Sequence, residues 1–246
     1  MRYAMRSEFR KLMTTRTVWG LLAGVVVLTG LGAWGTLLGP NTVAGAALET
    51  LPLFIAAIVA VTVMALVLGV RTYTDEARHG SIVPTLLATP ERRRVIAAKL
   101  IVVSGAAAVF AIVAAVVGAG FGAIWFAAHG TALTVGAGAL ALLVGKIVLI
   151  AMAWSMIGLG VGSAVGHQVA AIVGSLIYLL VVEDLIGTLV PGVAKFLPRN
   201  AADSAVGMWA PDANLLAPAL GALLLAAWVA AFVVAGTSRL QHLDIS

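Results

Sequence analysis

Arg71-Thr-Tyr-Thr-Asp-Glu-Ala-Arg-His-Gly-Ser-Ile-Val-Pro-Thr-Leu-Leu-Ala-Thr-Pro-Glu-Arg-Arg-Arg-Val-Ile-Ala-Ala-Lys99 is the longest segment of the chain that could not sit in lipid. It carries nine formal charges, at Arg71, Asp75, Glu76, Arg78, Glu91, Arg92, Arg93, Arg94 and Lys99, and apolar sequence flanks it on both sides. Such a connection reads as an aqueous loop, 71–99, with a short amphipathic helix held between two membrane-spanning helices.

Composition demands the membrane. Of 246 residues 62% are hydrophobic and 10% charged, and the mean hydropathy is +1.10. A soluble domain has roughly 25% charged residues, so here the bilayer has to act as solvent. The net charge of +5 raises nucleic acid as a partner. The bases sit beside apolar spans, however, which points to membrane orientation and against nucleic acid. There is no cysteine, and His79, His129, His167 and His242 are scattered, so no metal site is expected.

Taken in order, residues 1–17 are a basic amphipathic lead-in, with Arg2, Arg6, Arg10, Lys11 and Arg16 among Tyr3, Phe9, Leu12 and Met13. It is expected to lie along the headgroups. The apolar run 18–38 exceeds the ~7–15-residue core of a signal peptide and reads as an uncleaved first span. Further spans are expected at about 51–70, 100–126, 138–164, 169–190 and 219–236, with 191–218 as the largest outer segment. The block 131–165 is too long for one ordinary span of ~20 residues and holds Lys146 near its middle. Two readings compete: one long tilted or kinked helix, or an interfacial segment followed by a span from about Lys146. The second lets Lys146 snorkel to the outer headgroups and is preferred. Gly158, Gly162 and Gly166 form a small-residue stripe suited to close helix contact, read as internal packing before a subunit interface.

The expected fold is therefore an all-α, polytopic bundle of six transmembrane helices. Twelve of the 15 lysines and arginines fall on the side of the N-terminus. That excess places both termini and the 71–99 loop in the cytoplasm.

The chemistry of the chain is sparse. A phosphate-binding loop requires G-x-x-x-x-G-K-[ST], yet Gly145-Lys146 is followed by Ile147 inside an apolar block. No nucleotide site is encoded, and no G-x-S-x-G or H-E-x-x-H appears. The chain reads as a transport protein and not an enzyme. Glu183 and Asp184 lie near the outer end of the fifth span, where charge is costly and has to face protein or water. Together with Lys146 they are pathway or gate candidates, and Lys146 is the leading expected partner of Glu183, with an outer-loop base as the alternative.

Glu76-x-Arg78-x-Gly80-Ser81, then Leu86-Leu87, Pro90-x-Arg92 and Lys99 resemble the first cytoplasmic loop of ABC-2 type transporter permeases. There a D/E-x-R-x-G-T opening leads through a short coupling helix to the next span. Ser81 stands where Thr is usual, and Pro84 falls inside the would-be helix. The resemblance implies a six-span subunit of an ABC exporter, built as a homodimer or heterodimer in a bacterial plasma membrane. Two copies of a separate ATPase would bind ATP and magnesium, with no cofactor on this chain. It implies that Glu76, Arg78, Gly80, Ser81, Ile82, Leu86, Leu87, Pro90, Arg92 and Lys99 form the ATPase-coupling loop, and it maps the acidic residue often found in the fifth span to Glu183. An ion- or proton-coupled secondary carrier using Glu183, Asp184 and Lys146 is the alternative; inverted repeats, which would favour it, are not evident.

Overall fold

The computed structural model describes residues 2–37, 50–78, 92–128, 136–207 and 215–241. Among these the chain is helical throughout. An N-terminal helix α1 (Arg2–Thr14) is followed by α2 (Arg16–Leu37), α3 (Thr50–Arg78), α4 (Arg92–Ala128) and α5 (Ala137–Val165). Next come α6 (Gln168–Ile177), a π-helical turn (Tyr178–Val182) and α7 (Glu183–Leu189), which together make one span. Two short helices, α8 (Pro191–Ala194) and α9 (Pro198–Val206), precede α10 (Pro218–Gln241). Six helices are long and apolar enough to cross a membrane.

The spans run further than their apolar cores. Helix α3 continues through Arg71–Arg78, and α4 begins at Arg92. Both ends of the expected 71–99 loop are therefore helical, and only 79–91 lies between the helices, outside the described residues. The extension is stabilised locally. Arg71 Nε pairs with Asp75 Oδ2 one turn on, at 3.2 Å, and Thr72 Oγ1 donates to Leu68 O. An i,i+4 ion pair of this kind favours helix by a few tenths of a kcal/mol.

Block 131–165 corrects the preferred reading. Ala137–Val165 is one helix without a break, so no interfacial segment precedes a span starting at Lys146. Its apolar residues continue around the whole helix, and nothing between 137 and 165 supplies a proline stop. The helix ends at Gly166, whose φ of 73° is left-handed and whose N–H caps Gly162 O. His167 Nδ1 then accepts the Ala170 N–H at the start of α6. Chain reversal takes two residues.

Helix α3 is the centre of the bundle. Of its most apolar window 61% is buried, against 17% for α2, for the fifth span and for α10. Close approach is made by glycine. A Cβ on Gly158 or Gly162 of α5 would strike the carbonyls of Leu66 or Val70 on α3, and a Cβ on Gly69 would strike Ser155 O on α5. Gly160 packs against the Phe232 backbone of α10 in the same way. The stripe is thus internal packing, with Gly166 serving as a cap. Phe110, Leu66, Ile147 and Ile150 fill the remaining core.

Gly158→Leu is expected to prevent or severely destabilise folding, because the obstructing atoms are backbone and cannot rotate away. Gly20→Ala, which meets nothing within 4 Å, should leave the protein intact. Thermal unfolding followed by size exclusion in detergent checks both. A Gly158→Leu protein with wild-type melting would contradict this packing.

Candidate functional site: two charged ends of one bundle

Four charges meet where α1, α3 and α4 come together. Lys99 Nζ of α4 lies 2.7 Å from Glu8 Oε2 and 2.7 Å from Glu76 Oε1. Lys11 Nζ lies 2.8 Å from Glu8 Oε1 and 2.9 Å from Glu76 Oε1. Glu8, Glu76 and Lys99 are buried, while the Lys11 side chain is 39% exposed. Two acids and two bases alternate, so the cluster carries no net charge. Neutrality allows it to be buried; loss of Lys99, the most buried member, would leave uncompensated carboxylates, at a cost of about 3–5 kcal/mol, and loss of the half-exposed Lys11 less. Burial raises the pKa of the Glu8 carboxyl, but Lys99 and Lys11 outweigh it and hold the group below its ordinary value. Burial likewise opposes charge on Lys11, yet its bonds to Glu8 and Glu76 raise its pKa.

Glu76 and Lys99, expected on the coupling loop, are therefore turned inward at its two roots. The lead-in does more than rest on headgroups, since α1 is bolted to α3 and α4. Beside the bolt is a cavity of about 360 Å³ between α1, α2 and α3, lined in part by Thr15, Arg71 and Asp75. Asp75 Oδ1 accepts from Gln168 Nε2 at 3.0 Å, which ties the α5–α6 turn to the same end. Arg78 is exposed and reaches Gln168 Oε1 only at 3.5 Å. Gly80, Ser81, Ile82, Leu86, Leu87 and Pro90 lie outside the described residues, as does the side chain of Arg92. Glu8 and Lys11 were missed by sequence reasoning. Their signal was a lone carboxylate among five bases, with a lysine three residues on.

At the far end of the bundle Glu183 is buried. Its carboxylate accepts the backbone N–H of Arg199, with Oε2 at 3.1 Å. A π-helical turn leads into Glu183, whose N–H bonds Tyr178 O five residues back, in the widened register of such a turn. Asp184 points outward and pairs with Arg199 Nη1 at 2.9 Å.

Lys146 is not the partner of Glu183. Arg199 sits in the first turn of α9, so Glu183 occupies that helix's positive end. Lys146 stands at the opposite end, its Nζ 3.9 Å from where a side chain on Gly207 would begin. Nine residues of helix, roughly 13 Å, separate the two. The outer-loop base proposed as the alternative, Arg199, takes part through its backbone toward Glu183 and its side chain toward Asp184. Asp203, on the same helix, borders a cavity of about 110 Å³ together with Arg199, Thr62 and Trp154. Burial pushes its carboxyl up to about 6, against the pull of Arg199.

Two measurements check these ends. Glu8→Gln should release α1, seen as faster amide hydrogen exchange over residues 2–14 at neutral pH with the spans unaffected. In the wild type, Glu8's contribution is present above about 4.5 and lost as pH falls through its lowered folded value. Acid alone should therefore also release α1. Asp203 has the opposite sign: its folded pKa is raised, so its contribution is full below 3.8 and lost as pH rises through about 6. Asp203→Asn should raise the melting temperature at pH 7.5 by about 2–4 °C, as for roughly 1 kcal/mol in a chain this size. It should change little at pH 4. An equal shift at both pH values would refute the assignment.

A family model described as ABC-2 family transporter protein matches residues 4–182. That range includes α1 from its third residue, the four-charge cluster and both roots of the 71–99 segment, and stops one residue short of Glu183. No curated protein matches the chain at a significant level. The match covers most of the sequence, and the six apolar helices agree with it: the chain belongs to the ABC-2 transporter family and is a multi-pass membrane permease.

Proposed function

We propose that this chain is the membrane subunit of an ATP-driven exporter in a bacterial plasma membrane. It pairs with a second permease, a copy of itself or a related chain, and couples through residues 71–99 to two copies of a separate ATPase that bind ATP and magnesium. A cytoplasmic position for both termini and this segment is supported by the basic residues, twelve of 15 of which lie on the side of the N-terminus.

The observation that carries the reading is the ion cluster at the roots of the segment. Glu76 and Lys99 are joined to each other and to Glu8 and Lys11 of α1. A force applied to residues 79–91 would then move α1, α3 and α4 as one body. Through the glycine contacts it would reach α5 and α10. The chain's part is mechanical: it provides the lever and the pathway, and the phosphoanhydride chemistry belongs to the partner. Glu183, Asp184 and Lys146 support the pathway by holding α9 at its far mouth.

Leu86→Asp tests the coupling. A charge placed in a dry cleft of the ATPase costs several kcal/mol. We expect normal expression and membrane insertion, with loss of ATPase co-purification and of transport. Arg93→Ala should do much less, since a headgroup contact contributes about 1 kcal/mol. If Leu86→Asp keeps a stoichiometric ATPase and full transport, the lever lies elsewhere and an ion-coupled carrier becomes the better reading.

A further inference from the structure

A third cavity, of about 580 Å³, lies between α1, α2 and α4 on the outside of the bundle. Its lining has one charged side chain, Arg6; the rest is largely apolar, with Phe9, Trp19, Ile101 and Val109 along its walls. The indole N–H of Trp19 is already spent on Met13 O at 3.3 Å. Gly105 forms an open floor, where a Cβ would meet nothing within 4 Å. Phe9, Trp19, Ile101 and Val109 are each 46–57% exposed. From Ile101 to Val109 the groove runs about 12 Å along α4, close to the ~15 Å half-thickness of a bilayer's hydrocarbon.

Helix α1 divides its circumference to suit. Glu8 and Lys11 face the bundle, Met5, Phe9 and Met13 line the groove together with Arg6, and Arg10 lies one turn beyond Arg6 along the same helix. Both arginines are exposed, and neither forms an ion pair among the described residues. An apolar slot at membrane depth with a cationic lip has the chemistry of one phospholipid: a chain inside and an anionic headgroup outside. A second copy of this chain fits poorly, because a two-fold contact through this face would enclose two Arg6 side chains while the lining offers no acid to pair with either.

We propose that this groove is a selective site for an acyl chain of an anionic membrane phospholipid, with Arg6 holding its phosphate. Because α1 forms both the groove wall and the ion cluster, a lipid seated here braces the docked position of α1. The site depends only on the chain spanning a membrane, so it stands or falls separately from the ATPase coupling.

Brominated lipids test it, because bromine quenches nearby tryptophan. The chain has six tryptophans, so the Trp19 signal is taken as the difference between wild type and Trp19→Phe. Each protein is reconstituted in phosphatidylcholine containing a minor fraction of dibrominated phosphatidylglycerol or dibrominated phosphatidylcholine. We expect about fivefold preferential quenching of Trp19 by the anionic lipid, the factor equivalent to ~1 kcal/mol for one arginine. Arg6→Gln, an exposed change, should abolish the preference while leaving quenching by the neutral lipid. Gly105→Leu should reduce quenching by both. Equal quenching by the two lipids in the wild type would show ordinary boundary contact and overturn the proposal. Absence of Trp19 quenching by either lipid would also overturn it, and would mean that a second protein chain fills the groove.

Discussion

Backbone contact between α3 and α5 is the constraint on which the rest of the molecule depends. Between helices in lipid there is little hydrophobic driving force, because the tails are as apolar as the side chains they touch. Close van der Waals contact must supply the attraction, and Gly69, Gly158 and Gly162 remove the side chains that would prevent it. With α3 fixed against α5, its two ends become fixed reference points. One carries Asp75 and Glu76 to meet α1, α4 and the α5–α6 turn. The other brings Ile55 and Val59 beneath α9.

Charge appears where this apolar bundle ends, and it solves the same problem twice. A short amphipathic helix has to be held at each end of the bundle without burying an unpaired ion. For α1 the solution is a closed ring of four side chains with no net charge. For α9 it is the helix's own first turn, where the Glu183 carboxylate accepts a backbone N–H, with the Lys146 ammonium standing near Gly207 just past the last turn. Further contacts finish that end. Ser204 Oγ accepts from Leu216 N at 3.1 Å, and Trp228 Nε1 donates to Phe196 O at 2.9 Å.

The spans were legible because nothing but a membrane accommodates 62% hydrophobic residues in runs of twenty or more. Their ends were less so. Arg71 and Asp75 look like loop residues, yet they neutralise each other along one helix face and let α3 continue. Lys146 seemed to require an interface at mid-block; a long side chain reaching the end of α9 satisfies it without breaking α5. Glu183 was recognisable as a residue that had to face protein, but a backbone N–H leaves no mark in sequence, so its partner was not. Helix α9 did leave one: Pro198 at its first position and Gly207, left-handed at φ 62°, just past its end. Among the four prolines of that segment the pattern went unread as a helix.

The way α9 is held has a consequence for how this end of the protein can vary. The Glu183 end of this hold recognises a main-chain N–H and is indifferent to the side chain beside it. Apart from Arg199, which pairs with Asp184, side chains on the solvent side of α9 are therefore released from the task of holding it in place. Provided that a turn-opening proline, a terminal glycine and the eight residues between are kept, this mouth of the bundle can change its surface chemistry while its position stays the same. The opposite end has no such freedom, because each of its four charges is read individually by two others.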